Sequence, residues 1–547
     1  MLKFIALSGT ISVTENLYIY ETENEMMVVD CGVGFPDLEM RGVDLVVPDF
    51  SYVVKNKNKL KGIILSQGHE DHIGALPFLL REVGTQLWAA PLVTAFLNEK
   101  FKDYKLSGVK INTFDPDRDS FSVGGFKVHP FRVTHSVPDS CGFAIDTPEG
   151  RIFHVPEHKM DQNPVDGMPF DTQRAKLLVK DKVLFLASDC LGSTRPGYTP
   201  EERSIEDNLL KIVKQAKGAV YFTAISSNIG RFQQAINVAK ATGRKAVYVG
   251  RSVQRKCEIA HDLGYLKYER DTVVPLKKAS GYSGPKLMYL ISGCFCDTRS
   301  SLYRLSVDEH QRVQAQEGDT LIFSADPAPP YTKESENVVI DNLIDRGVDV
   351  HYYALNEGLY VSGHGSQEDI LDLFKITNPK YFSPVGGAIR FMHAYEKLAI
   401  EFGARKENVF KLKPGESVIF EKGAARAGVK IPVKEVLVDG LGIGDVGRVV
   451  LSDRRDLSKS GIVVAVIRYD SGKKRVIDSP KLISRGFVFN KENTTFLEQA
   501  ARRLKGRLDK EGKMDKNKLK KITVSFLEKR FLEDIGREPM ILPVVID

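Results

Sequence analysis

Between residues 206 and 265 the chain switches regularly between two periodicities. "IEDNLLKIVKQAKG" has helical spacing, "AVYFTAI" is a short apolar strand, "NIGRFQQAINVAKATG" is helical again, "KAVYVG" is a second strand and "SVQRKCEIAHDLG" a third helix. Strand and helix in strict turn demand parallel pairing through right-handed crossovers, so this stretch predicts an α/β layer. Residues 1–205 have a different rhythm: short Val-, Ile-, Phe- and Tyr-rich runs ("ENLYIYE", "MMVVDCG", "KGIILSQG", "FKVHPFRV", "RIFHV", "VLFLASD") are broken by turns and by helical stretches such as "ALPFLLREV". That pattern predicts a layered α/β domain. "SADPAPPYTKES" reads as a loop at the end of a strand. From residue 433 a smaller unit begins, with a hairpin signal around Ser471 and Gly472 and then a long, basic helical stretch from Phe496 to Phe531.

A chain of 547 residues is too long for one hydrophobic core, which sets an expectation of roughly two to four domains. With 42% hydrophobic and 27% charged residues it has the balance of a globular protein. A net charge of +7 permits a polyanionic partner without demanding one. Cys31, Cys141, Cys190, Cys257, Cys294 and Cys296 form no CxxC pair, which favours a reduced, cytoplasmic compartment. No signal peptide is read at the start, and no apolar run reaches the roughly 18 residues a membrane helix needs.

Chemistry concentrates at "LSQGHEDHIG", residues 65 to 74. His69, Asp71 and His72 follow a buried strand and precede an amphipathic helix, the place where a strand's carboxyl end delivers side chains to a site. Two imidazoles and a carboxylate so close together suit zinc or manganese better than calcium. The bland alternative is a polar capping turn with surface histidines.

The cluster resembles the metallo-β-lactamase signature HxHxDH, and "GHEDHIGALP" is similar to the form found in the ribonuclease J family. Further resemblances follow in the family's order: "VVDCGVGFP", "THSVPDS", "SDCLGSTRPGYTP", "SSNIGRFQQ", "VSGHGSQED", "YFSPVGG", "LVDGLGIGDVG" and "SRGFV". The resemblance implies a metallo-β-lactamase αββα sandwich with an inserted β-CASP α/β domain and a small α+β C-terminal domain. The implied division is 1–205 for the first part of the core, 206–375 for the β-CASP domain, 376–432 for the second part and linker, and 433–547 for a C-terminal oligomerisation and RNA-associated domain. It also implies metal-dependent cleavage of single-stranded RNA, internally or from the 5′ end.

Carried over position by position, the resemblance assigns a first metal to Gln67, His69, His135 and Glu157, and a second to Asp71, His72, Glu157 and Gly386. Three of these seven positions depart from the family pattern. Gln67 stands for a histidine and offers only a neutral amide; Glu157 replaces the bridging aspartate with a longer arm; Gly386 replaces a histidine with no ligand. The expectation is one zinc ion or none, with manganese as the alternative, and reduced or lost activity.

On the substrate side the family's HxSxH element reads "YVSGH", keeping Ser362 and His364 but placing Tyr360 where the first histidine belongs. His364 is the implied phosphate contact and acid, Asp189 fills the first β-CASP motif, and Asp71 is the candidate base. Asn228 and Arg231 persist as RNA-binding candidates around Gly230, and the family's 5′-phosphate pocket has become "CFCDT". Each has a plainer reading: His135 or His364 as a structural hydrogen-bonding histidine, Asp189 as a turn cap. The implied partners are single-stranded RNA and either further copies of the chain, as dimer or tetramer, or an active paralogue; no membrane is implied.

Overall fold

The computed structural model describes residues 1–547 except 38, 180–181, 326–331, 441, 445 and 488–491, and the side chains of residues 443, 448 and 492–494 also lie outside the description. Part of the proline-rich loop "SADPAPPYTKES" and the end of "SRGFV" therefore fall outside the described residues. The described chain divides into two compact units, Met1–Phe35 with Val46–Val436, and Pro36–Leu45 with Leu437–Asp547.

In the first unit two sheets pack face to face. One runs in the order Ala424–Ala427, Ser417–Glu421, Leu2–Ser8, Leu17–Glu21, Met26–Val29, Leu60–Ile64, Leu87–Ala89, Ile111–Thr113. The other runs Tyr381–Val385, Val183–Asp189, Gly150–Val155, Cys141–Thr147, Phe126–Arg132, Phe121–Val123. Phe4, Tyr18, Tyr20, Val29 and Ile64 from the first meet Val128, Phe143, Ile152 and Phe185 from the second in one buried cluster. Helices Thr172–Leu178, Gln367–Thr377 and Ile389–Glu401 close a second cluster over the far face of the second sheet, through Ala175, Phe374 and Tyr395. Strand Val183–Asp189 is buried at every position, as expected of a central strand covered on both faces, and this explains its unbroken apolar sequence.

The alternation after residue 206 builds a separate parallel sheet in the order Lys245–Val249, Leu287–Ile291, Val220–Thr223, Thr320–Phe323, Asp349–His351. The fold is thus the metallo-β-lactamase sandwich carrying a second α/β layer that the resemblance implies.

The second unit centres on strand Ile462–Asp470, paired antiparallel with Lys481–Arg485 and parallel with the C-terminal Met540–Ile546. The hairpin expected at Ser471 is short, since only Tyr469 and Asp470 pair across it with Val476 and Arg475. The long partner lies some seventy residues further on, where no local turn signal could announce it. The basic stretch is two helices, Glu492–Glu511 and Lys516–Ile535. Arg502, Arg503, Lys505, Arg507, Lys516 and Lys518 all lie within 3.9 Å of carboxylates. Much of the basic charge is therefore neutralised inside this unit.

Candidate metal centre

The carboxyl ends of five strands, drawn from both sheets of the sandwich, assemble the site, Phe126–Arg132 leading to His135. Leu60–Ile64 leads into Gln67, His69, Asp71 and His72; Gly150–Val155 into Glu157; Val183–Asp189 ends at Asp189; Tyr381–Val385 runs into Gly386. His69 is the extended cap of a single helical turn, Glu70–Ile73, which is separate from the following helix Leu76–Glu82. That turn is fixed by the Asn16 and Cys31 amides, which donate to the Asp71 and His72 carbonyls at 3.0 and 2.7 Å.

Two ligand sets result. Ligand atoms of His69, His135 and Glu157 lie within 4.8 Å of one another, and so do those of Asp71, His72 and Glu157. Glu157 belongs to both. His72 donates from Nδ1 to Asp30 Oδ2 at 2.8 Å, and His135 donates from Nδ1 to the Gly363 carbonyl at 2.8 Å. These outward bonds leave both Nε2 atoms facing Glu157, 3.1 Å from Oε1 for His72, which Asn16 Nδ2 also approaches at 3.1 Å, and 2.9 Å from Oε2 for His135. The His135 nitrogen is buried and makes no hydrogen bond. An imidazole nitrogen this close to a carboxylate has a proton or a cation between them, and two imidazole and carboxylate sets of this spacing fit a divalent ion that takes the proton's place. His69 places Nε2 at 3.0 Å from Ser136 Oγ, which leaves Nδ1 as its available ligand.

The charges around the two sets differ. Burial alone would raise Glu157, but His72, His135 and His364 hold its carboxyl well below the ordinary range. Burial opposes charge on His72, yet Glu157, Asp30 and Asp71 prevail and hold its imidazole well above the ordinary range. His69 goes the other way, neutral through burial and the neighbouring His135. Burial pushes Asp71 up to about 6 against the pull of His72.

Gln67 and Gly386 supply neither an imidazole nor a carboxylate to the cluster. The Gln67 side chain donates from Nε2 to Glu157 Oε2, and its oxygen accepts the His69 amide at 2.8 Å. Both ends of the amide are thus used inside the protein. Gly386 takes φ +66° and donates its own amide to the Gly9 carbonyl at 2.9 Å.

Beside the ligand sets, His364 Nδ1 lies 2.8 Å from Asp189 Oδ2, and its ring centroid is 5.2 Å from that of His135. Burial opposes its charge, but Asp189 and Glu157 raise the imidazole to about 9. Ser362 is buried, its Oγ accepting the His364 amide at 3.1 Å and lying 3.3 Å from Arg195. Asn228 caps the helix Ile229–Ala241 by accepting the Arg231 amide at 3.0 Å, and lines a small cleft together with His135. Arg231 is buried, its guanidinium bonded to Glu202 and to the carbonyls of Ser324 and Val361, so it acts inside the protein. The CxC thiols Cys294 and Cys296 are buried and free. His158 sits under Phe170 with no partner for either ring nitrogen, and it belongs to neither ligand set.

Several supporting residues were not singled out from the sequence. Asp30, Ser136 and Gly363 fix the three histidines, and Glu70 joins Lys100 at 2.5 Å and Lys256 at 3.5 Å. Those lysines hold the Glu70 carboxyl down to about 2 despite burial. Only Asp30, in "VVDCG", carried a local signal, as an acid at the end of an apolar strand.

A sandwich of this kind with a histidine and carboxylate cluster at its strand ends defines a metallo-β-lactamase-type protein. Residues 26–176 match the description Beta-lactamase superfamily domain, 217–343 match Ribonuclease J, beta-CASP domain, and 449–547 match Ribonuclease J C-terminal domain. The chain is 33% identical to Ribonuclease J 1 of Streptococcus pyogenes, over 99% of this chain and 97% of that protein. It is 31% identical to Ribonuclease J2 of Bacillus subtilis, over 100% and 98%. The chain belongs to the ribonuclease J family. A crystal structure of a protein of unknown function from Enterococcus faecalis shares the fold at TM-score 0.52 and 13% identity, covering 76% of this chain and 99% of that one.

Proposed function

We propose that this chain is a ribonuclease J-like protein of RNA processing and decay whose own hydrolysis is weak or absent, and which binds single-stranded RNA and assembles with itself or with an active paralogue. The observation that carries this reading is the Gln67 amide bonded to Glu157, the one carboxylate common to both ligand sets. An amide at that position cannot replace an imidazole, and Gly386 offers no side chain to complete the second set. One ion in either three-ligand set fits better than two. When bound, a divalent ion supplies an acidified water and stabilises a phosphoryl oxygen. In this reading Asp71 is the base, and His364, held by Asp189 and raised to about 9, the donor to a leaving oxygen.

A second reading, a ribonuclease with a remodelled single-ion site, is favoured by the retained outer bonds from Asp30 to His72 and from Gly363 to His135. The domain division at 205, 375 and 432 and a cytoplasmic setting belong to the same reading, the latter supported by six buried free thiols.

The test is elemental analysis of the purified protein combined with digestion of a 5′-monophosphorylated RNA by wild type, His69→Ala and Asp71→Ala. Tight RNA binding with at most one ion and negligible cleavage is the expected result. Robust cleavage that both substitutions abolish would establish the single-ion enzyme instead.

A further inference from the structure

The loop from Tyr352 to His364 ends at the centre just described, since the Gly363 carbonyl holds His135. Its outer part carries two aromatic rings. Tyr353 and Tyr360 meet edge to face with centroids 5.8 Å apart and an interplanar angle of 86°. Tyr360 lies over the buried Arg231 guanidinium, 5.2 Å from carbon to ring centroid. Tyr353 is 41% exposed and its neighbour Leu355 is 67% exposed. Tyr360 occupies the position where the HxSxH pattern has a histidine, so a stacked aromatic replaces a charged or polar ring.

The pair is held in place from inside. The Leu355 and Asn356 amides return to the Tyr352 carbonyl at 3.0 Å, and Asn356 accepts the Gly358 amide at 3.2 Å. Asn208 donates to the Gly358 carbonyl at 3.2 Å, and a side chain at Gly358 would collide with that amide at 2.2 Å. Ser324 Oγ donates to the Leu359 carbonyl at 2.7 Å. Folding has therefore already ordered the loop around two tyrosines without burying the outer one, and a ligand that stacks there meets a preformed surface.

We propose that Tyr353 and Tyr360 form a stacking subsite for one nucleobase of single-stranded RNA; this rests on the RNA-binding reading above and deepens it. A flat base presents a π-face to Tyr353, with Tyr360 as the edge-on wall behind it and Arg231 fixing that wall by cation–π contact. Every base has such a face, so the subsite is tolerant of sequence. Tyr360 and Gly363 are three residues apart, a span of no more than about 11 Å even fully extended. The exposed Arg195, 3.3 Å from Ser362 Oγ, sits between as a contact for backbone phosphate. The inner tyrosine is thus a short chain span from Gly363, which holds His135, and the subsite grips RNA without any metal.

The probes are a fluorescein-labelled oligouridylate of about ten nucleotides, within the usual site size for single strands, and an abasic ribose-phosphate oligomer of the same length. Anisotropy is measured in the presence of a chelator for wild type, Tyr353→Ala, Tyr360→Ala, Tyr353→Trp and Arg195→Ala. Each alanine variant is expected to weaken oligouridylate binding about ten-fold and to leave abasic binding and the salt slope unchanged. Tyr353→Trp retains affinity, and Arg195→Ala lowers the salt slope by about one. Equal affinity of the tyrosine variants and wild type for oligouridylate overturns the subsite while leaving RNA binding intact, and so does an equal loss on the abasic probe. A wild type that binds neither probe overturns the RNA-binding reading itself. Photo-crosslinking of wild type with 5-iodouridine, independent of variant folding, is expected at residues 353 or 360; adducts elsewhere alone also overturn the subsite.

Discussion

The Gln67 side-chain amide donates to Oε2 of Glu157, the carboxylate that serves both three-residue ligand sets. An uncharged donor thereby occupies a lone pair that a cation would otherwise use. Replacing Gln67→His supplies an imidazole and removes the competing donor. Zinc affinity is expected to rise by at least about ten-fold, the scale on which even supporting groups act at metal sites. Competition against a chromophoric chelator measures it, and unchanged affinity would show that the amide is not what limits the site.

Asp189 is almost fully buried and holds His364 at 2.8 Å and the Leu191 amide at 2.8 Å. Asp189→Ala strands a charged imidazole without its partner, at an expected cost of about 3–5 kcal/mol. Urea unfolding of the metal-free protein reads this. A loss under about 1 kcal/mol would mean that His364 finds its stability elsewhere.

Glu15 has a carboxyl raised by burial, with Glu435 adding to it, to about 7. A raised acid binds its proton more tightly in the folded state, so it contributes no penalty below about 4.5 and an increasing one as pH rises to about 7. Glu15→Gln should leave the melting temperature unchanged at pH 4 and raise it at pH 8, by an equivalent of about 1–2 kcal/mol. A gain of the same size at both pH values would assign the effect to packing instead of charge.

Arg231 spends its guanidinium on Glu202, Ser324 and Val361 inside the fold. Arg231→Lys keeps the charge but loses the planar fork, and should destabilise by about 2–4 kcal/mol. Because the group is buried, the salt dependence of RNA binding should not change. A salt slope smaller by about one would identify it as a phosphate contact after all.

Sequence alone determined the layers, because strand and helix periodicities and unbroken apolar runs such as "VLFLASD" are local properties that survive without tertiary context. It also determined which side chains are chemically able to bind an ion, and that positions 67, 157 and 386 depart from the family pattern. Tertiary structure decided what those side chains do. Glu157 is ninety residues from Gln67, and Gly363 more than two hundred from His135; their meeting depends on five strand ends, and the loop that carries Gly363, converging at one edge of the sandwich. Packing between distant segments likewise turned Arg231 inward, onto the carbonyls of Ser324 and Val361. Such contacts are long-range consequences of packing, and no short window of sequence encodes the partner that lies across the sheet.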